Sequence, residues 1–316
     1  MLQFIFGLPR SGKTELIFEK IKELSLQNRK SILIVPEQSS FETEKRALKT
    51  LGNNFFQNLK VLSFSRLFDE VCRNRGGLSA KMLSDTEKVI FMSKALNQIS
   101  DDLKMWGKYL HSLTFSKTML DSVGEFKINS ITPQMVRDAI DLTDSQSLKN
   151  KLYDFALIYE RYDLLIAERY LDPADSLTRL CDMLESYNYF AETTVFIDGF
   201  AGFTGQQYNI IDRALTQAED LYIAFTNDTN CNKEYDVFTN IRSAVLQIEK
   251  IAASHNVKTI NPVFLNKGFY KSDSIDAVRK LLCNQAVEPI CDDGVVVCKA
   301  KTVFDEAEFA ARNIRR

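Results

Sequence analysis

The segment Gly7-Leu8-Pro9-Arg10-Ser11-Gly12-Lys13-Thr14 fits the spacing G-x-x-x-x-G-K-[ST]. Such a segment must curl tightly enough to aim several backbone N–H groups at phosphate oxygens, and Gly7 and Gly12 permit that curl. Lys13 would reach the outer phosphates of a nucleoside triphosphate, and the Thr14 hydroxyl would ligate Mg2+. Pro9, Arg10 and Ser11 fill the loop between the glycines. The helix expected next would direct its positive end at the same anion. ATP and Mg2+ are therefore the expected ligands of Gly7, Pro9, Arg10, Ser11, Gly12, Lys13 and Thr14.

A magnesium shell needs a second carboxylate at the end of a nearby apolar strand. Val195-Phe196-Ile197-Asp198 supplies one, so Thr14 and Asp198 are the expected metal ligands. An acid that activates water should follow directly. Gly199 stands there instead, and no Asp or Glu returns until Asp212. Nucleotide binding is expected; competent hydrolysis is doubtful.

These residues must be held by strands and helices in alternation. Leu2 to Phe6, Ser31 to Val35 and Lys60 to Phe64 read as buried strands, each followed by a helical pattern, which means a parallel α/β sheet. Strand signals vanish from about Leu78 to Phe190. The clearest helix there is Asn150 to Tyr170, with Leu152, Phe155, Tyr159, Tyr162 and Ile166 on one face. Asp172-Pro173 breaks it and opens another helix, and Thr132-Pro133 begins a short one. Strands return at Thr194 to Ile197 and Leu221 to Phe225, flanking a helix from about Gly205 to Leu215. A long helix runs past Asp236 to about Ser254. Val295 to Cys298 reads as a last strand, and a helix runs from Asp305 to the last residue. Ile314-Arg315-Arg316 carries no stop signal, so the chain reads as the first part of something longer.

The expected organisation is an α/β sheet domain in two pieces, residues 1–78 and 191–285, around a helical insertion at residues 79–190. Residues 286–316 would open a second domain.

Composition narrows the class. The 316 residues carry 40 Lys+Arg against 42 Asp+Glu, a net charge of -2, so any nucleic-acid affinity must come from a local groove. Hydrophobic residues at 45% argue against extended disorder. Cys72, Cys181, Cys231, Cys283, Cys291 and Cys298 show no C-x-x-C spacing, which suggests reduced, mostly buried thiols. A ligand role for Cys283, Cys291 and Cys298 is a lesser alternative. The lone Trp106 and His111 read as packing residues. No run of eighteen apolar residues occurs and MLQFIFG has no basic leader, so no membrane association is expected and the expected location is the cytoplasm.

In order along the chain, GLPRSGKT, ILIVPEQSSFETE, VLSFSRL and FIDGFAGFTGQQ resemble the N-terminal half of the AddB family (RexB in some bacteria), which partners AddA in bacterial AddAB helicase–nucleases. FDEAEFAARNIRR resembles that family's segment where a second RecA-like domain begins. The helical stretch matches only in character. The fold implied is a RecA-like P-loop parallel-sheet domain of the superfamily-1 helicase kind. In that superfamily's second motif, D-E-x-Q-D-x-x-x-x-Q, Asp198 matches the Asp, Gly199 replaces the Glu, Ala201 the Gln and Gly202 the second Asp. Gln207 matches the final Gln and joins the implied nucleotide residues.

The resemblance implies a helicase-like, non-translocating subunit that partners an AddA motor on single- and double-stranded DNA in double-strand-break processing. It also implies a part in recognising the Chi sequence. The family's nuclease domain and its iron–sulfur cluster lie beyond residue 316, and the six cysteines here do not match the cluster's ligands. Single-stranded DNA would cross the segments after the second and third strands, which makes Gln38, Ser63, Phe64, Ser65 and Arg66 candidate contacts. Arg66 would pair with a phosphate, the serines would donate hydrogen bonds, and Phe64 would stack on a base. Phe64 reads equally well as a core residue. Arg73 and Arg75 beside Gly76-Gly77 form a small basic spot that suits an ordinary solvated face. The alternatives are an active DNA-dependent ATPase motor that takes its acid from elsewhere, a P-loop small-molecule kinase, and a purely structural partner with a vestigial loop.

Overall fold

The computed structural model describes residues 1–52, 57–76, 80–167, 169–228, 237–265, 267–282 and 285–315. Leu78, Gly77, Cys231, Cys283 and Arg316 lie outside the described residues.

Among the described residues six strands form one parallel sheet. They are β1 (Leu2–Gly7), β2 (Lys30–Ile34), β3 (Leu59–Leu62), and three from the second half of the chain. The spatial order puts β3 at one edge, then β2, a strand at Thr193–Ile197, a strand at Asp220–Thr226, β1, and a short strand at Val263–Leu265. Two further two-residue strands fall between, so in chain order the last three are β6, β7 and β8. Every pairing is parallel, with Ile34 opposite Ile197 and Gly7 opposite Thr226. All carboxyl ends therefore lie on one edge of the sheet, where ligands of open α/β sheets bind.

Alternation along each strand explains burial on both faces. Phe4, Phe6, Ile32, Ile34, Val195, Ile197, Ile223 and Phe225 point to one core, shared with α3 (Phe64–Asn74), α8 (Ser176–Ser186), α9 (Gly205–Gln217) and α10 (Thr239–Ser254). Ile5, Leu33, Phe196 and Ala224 point to the other, covered by α1 (Lys13–Leu26) and α2 (Ser40–Leu51). A parallel sheet coated on both faces yields the near-continuous apolar runs seen in the sequence.

Between β3 and β6 the chain is mostly helical: α4 (Asp85–Gln98), α5 (Leu113–Ile128), α6 (Pro133–Ile140) and α7 (Gln146–Ile166). They enclose a separate core that includes Met92, Leu96, Val123, Ile158 and Tyr162. Their starts are set locally, by a Ser84–Glu87 capping box on α4 and by Thr132 ahead of Pro133 on α6.

Several expectations are corrected. The helical stretch contains a two-residue parallel pairing of β4 (Lys81–Met82) with β5 (Tyr170–Leu171), too short for any periodic signal. Phe64 does not extend β3; Ser63 caps α3, and Phe64 opens that helix. Val295 to Cys298 is not a strand: Val296 and Val297 are exposed, and no described strand lies alongside to complete a ladder. Downstream, α11 (Asp273–Leu282) precedes it and an exposed α12 (Val303–Arg315) follows. His111 is exposed, whereas Trp106 packs edge-on against Phe115. Of the described cysteines, only Cys72 is buried; Cys291 and Cys298 are exposed.

Candidate nucleotide site and its surroundings

β1 is apolar and buried, so it delivers Gly7 to the carboxyl edge of the sheet. A side chain at Gly7 would collide with Ser11 Oγ at 2.3 Å and the Leu265 carbonyl at 2.9 Å, so only glycine fits. Arg10 and Gly12 both take left-handed backbone, with φ of 57° and 90°. Left-handed residues within such a loop turn successive N–H groups toward one concavity, which is an anion cradle. Ser11 adds a buried hydroxyl with no hydrogen-bond partner in the protein. These features fit a bound phosphate. Pro9 sits at the surface beside them.

Lys13 curls back over the loop, its Nζ donating to the carbonyls of Gly7 (3.1 Å) and Leu8 (2.9 Å). Burial pulls its pKa down, opposed by the negative charges of Asp198 and Glu15. Thr14 Oγ1 donates to Asp198 Oδ2 at 2.6 Å. Asp198 is buried at the end of β6, and desolvation raises its pKa against the pull of Thr14 and Lys13. A buried carboxylate of this kind gains from a neighbouring cation. The Thr14–Asp198 pair thus fits Mg2+.

Two cavities meet at Lys13. One of about 620 Å3 is lined by Arg10, Ser11, Gly12, Lys13, Thr14, Glu15, Arg46 and Phe269. The other, about 140 Å3, lies among Lys13, Asp198, Gly199, Ala201 and Thr226. The first is large enough for a nucleotide, whose ligand class occupies about 300–1,000 Å3.

Gln207 is not brought to either cavity. Its Oε1 accepts from the Thr204 backbone N–H at 3.0 Å, completing a capping box on α9. It faces a third cavity of about 950 Å3, which Ser65, Phe68, Asp172 and Gln206 also line.

The candidate DNA residues divide. Ser63 is buried and its hydroxyl is committed to the Arg66 backbone N–H at 3.2 Å. Phe64 is 5% exposed and packs edge-on against Phe200 and Phe203, so it belongs to the core and offers no face for stacking. Ser65 and Gln38 are exposed. Arg66 pairs with Glu44 at 3.3 Å and stays partly open to solvent. Phe41, next to the turn that carries Gln38, is 76% exposed.

Comparison with known proteins decides the family. The family described as ADDB, N-terminal, matches residues 4–278. The chain belongs to the AddB N-terminal family. The B subunit of an ATP-dependent helicase/deoxyribonuclease from Clostridium acetobutylicum is 31% identical over 326 residues, covering 99% of this chain and 28% of the relative. Proteins of the same description from Thermoanaerobacter sp. (strain X514) and Clostridium tetani are 30% and 28% identical, each again with 28% of its length covered. The chain thus spans about 28% of the curated relatives it matches.

For this AddB-family chain, sequence reading missed two residues of the site. Arg46 on α2 reaches the larger cavity and pairs with Glu15 on α1. Phe269 is 65% exposed, and its backbone N–H donates to the Arg10 carbonyl at 3.1 Å. The β8–β1 pairing brings it there. No local spacing marks either residue, because each is assembled by packing. Among the described residues no helix is long and apolar enough to cross a membrane.

Proposed function

We propose that this chain is the helicase-like, non-translocating part of a helicase–nuclease subunit that acts with an AddA motor in the cytoplasm on broken double-stranded DNA. In this reading it binds single-stranded DNA and holds Mg-ATP without turning it over. Its helices between β3 and β6 are then an insertion into a RecA-like domain of the superfamily-1 kind. The family supports the assignment to a helicase–nuclease. One observation carries the nucleotide reading: the bond between Thr14 and Asp198, which joins the phosphate loop to the acid-bearing strand directly before a glycine.

Gly7, Ser11, Gly12 and Lys13 would hold the phosphates, Thr14 and Asp198 the magnesium, and Phe269 would lie against the base. The bound metal would neutralise phosphate charge and tie it to β6. Gln38, Ser65 and the exposed ring of Phe41 would meet a single strand on the neighbouring edge, and Arg66 would exchange Glu44 for a phosphate.

Two measurements test the proposal. A fluorescent ATP analogue binds the wild type and loses at least tenfold in affinity for Lys13→Ala; equal affinity would sink the nucleotide component. Single-strand binding weakens with salt, and Arg66→Ala lowers both the affinity and the salt dependence, by about one unit of slope. Rapid phosphate release stimulated by single-stranded DNA would instead favour an active motor.

A further inference from the structure

The 140 Å3 cavity beside Lys13 and Asp198 is where a water would have to be activated, and its described walls lack a free base. Lys13 and Asp198 are its only titratable lining groups among the described residues, and Thr14 already bonds the Asp198 carboxylate. A second carboxylate on the same sheet edge, Asp228, follows the end of β7. Arg279 Nη1 holds it at 2.6 Å and Gln285 Nε2 at 3.2 Å, so it is committed elsewhere.

Position 199 disfavours a side chain in two ways. Gly199 has φ of +85°, a conformation that L side chains rarely adopt. A Cβ built there would also stand 3.2 Å from Pro36 Cδ and 3.6 Å from Cγ. The proline ring cannot swing aside as a flexible side chain would. Its carbonyl is further tied by the Ser39 backbone N–H at 3.0 Å and the Ser39 hydroxyl at 3.1 Å. Asp198 itself is pinned to β2 through its N–H to the Ile34 carbonyl at 3.0 Å. The backbone on both sides of the contact is therefore held.

We propose that Gly199 packed against Pro36 is a built-in block on hydrolysis, so that the nucleotide is a retained ligand and a carboxylate returned to position 199 does not restore turnover while Pro36 stays. This rests on the nucleotide reading above. Hydrolysis would form a bond from water oxygen to the γ-phosphorus, break the bond from that phosphorus to the β–γ bridging oxygen, and pass the water proton to a base, leaving ADP and phosphate. Among the described lining of that cavity the only carboxylate is Asp198, and Thr14 already donates to it.

The experiment compares the wild-type chain with Gly199→Glu, Pro36→Ala/Gly199→Glu, Gly199→Ala and Lys13→Ala. Each is assayed for fluorescent ATP analogue affinity, for phosphate release from Mg-ATP with single-stranded DNA, and for melting temperature without nucleotide. Wild type and Gly199→Glu are both expected to release phosphate at background. Gly199→Glu and Gly199→Ala are expected to melt about 3–6 °C lower than wild type. The double variant is expected to recover part of that loss and to release phosphate at least tenfold faster than Gly199→Glu. Turnover by Gly199→Glu alone would overturn the block, as would unchanged melting of Gly199→Ala or a well-folded, nucleotide-binding double variant with no turnover. If even the wild type binds the analogue no better than Lys13→Ala, the nucleotide reading fails and the block fails with it, whereas failure of the block alone leaves that difference intact.

Discussion

Thr14 and Asp198 are 184 residues apart in sequence and joined by a 2.6 Å hydrogen bond across the carboxyl edge of the sheet. β7 lies between their strands, so the bond spans a strand that supplies neither residue. The arrangement places a buried acid beside a hydroxyl and an ammonium group.

Burial raises the pKa of Asp198. A carboxyl raised on folding contributes stability that is present below its unfolded pKa and lost as pH rises through the folded value. Asp198→Asn keeps an acceptor for Thr14 and removes the charge. It should raise the melting temperature of the ligand-free chain by about 2 °C at pH 8 and abolish magnesium-dependent nucleotide binding. Thermal melts with and without Mg-ATP check both halves; a variant that still gains stability from Mg-ATP would remove Asp198 from the metal site.

Phe269→Ala should weaken a purine nucleotide about tenfold, since stacking a base on an aromatic face is worth roughly 1–3 kcal/mol. Inorganic triphosphate has no base and should bind both proteins equally. Titration of the two ligands separates base contact from phosphate contact.

The two phenylalanines near the proposed DNA edge should behave oppositely. Phe64→Ala empties a core position and should cost about 3–5 kcal/mol of stability. Phe41→Ala removes an exposed ring, so the melting temperature should stay within about 1 °C while single-strand affinity falls several-fold. Denaturant melts and a salt-controlled binding titration distinguish them.

Lys127 is almost wholly buried, with Asp163 at 2.7 Å, Asp175 at 2.5 Å and Asp172 at 3.6 Å. Burial pulls its pKa down, but the three carboxylates prevail and raise it. Lys127→Met would strand the carboxylates and should cost about 3–5 kcal/mol. Burial, with the neighbouring acids, pushes Asp175 up to about 6. Its contribution to stability is thus greatest in acid and lost as pH rises through 6. Melting temperature should fall between pH 5 and pH 7.5, and Asp175→Asn should flatten that fall. An unchanged slope in the variant would assign the pH dependence to other groups.

The parallel sheet was legible because its strands are buried on both faces and leave apolar runs between helical patterns. The tight loop at Gly7 to Thr14 was legible because left-handed backbone at a position such as Gly12 favours glycine, which residue spacing records. Phe64 was ambiguous because an aromatic residue at the end of a strand looks the same whether it faces DNA or Phe200. Gln207 matched a motif but is spent on capping its own helix, a choice made by the turn at Thr204. The run Val295 to Cys298 has strand composition, yet a strand exists only where a neighbour offers its hydrogen bonds.

By itself the sequence determined the alternation of the long buried strands with helices, the tight loop at Gly7 to Thr14 and the glycine that follows Asp198. These depend on residues close in the chain, whose spacing is their geometry. Only the tertiary structure decided that Asp198 meets Thr14, that Arg46 and Phe269 enter the same site, and that Pro36 presses on Gly199. Those contacts join distant segments, and they follow from which strands pair and how side chains pack, a choice that no local pattern records.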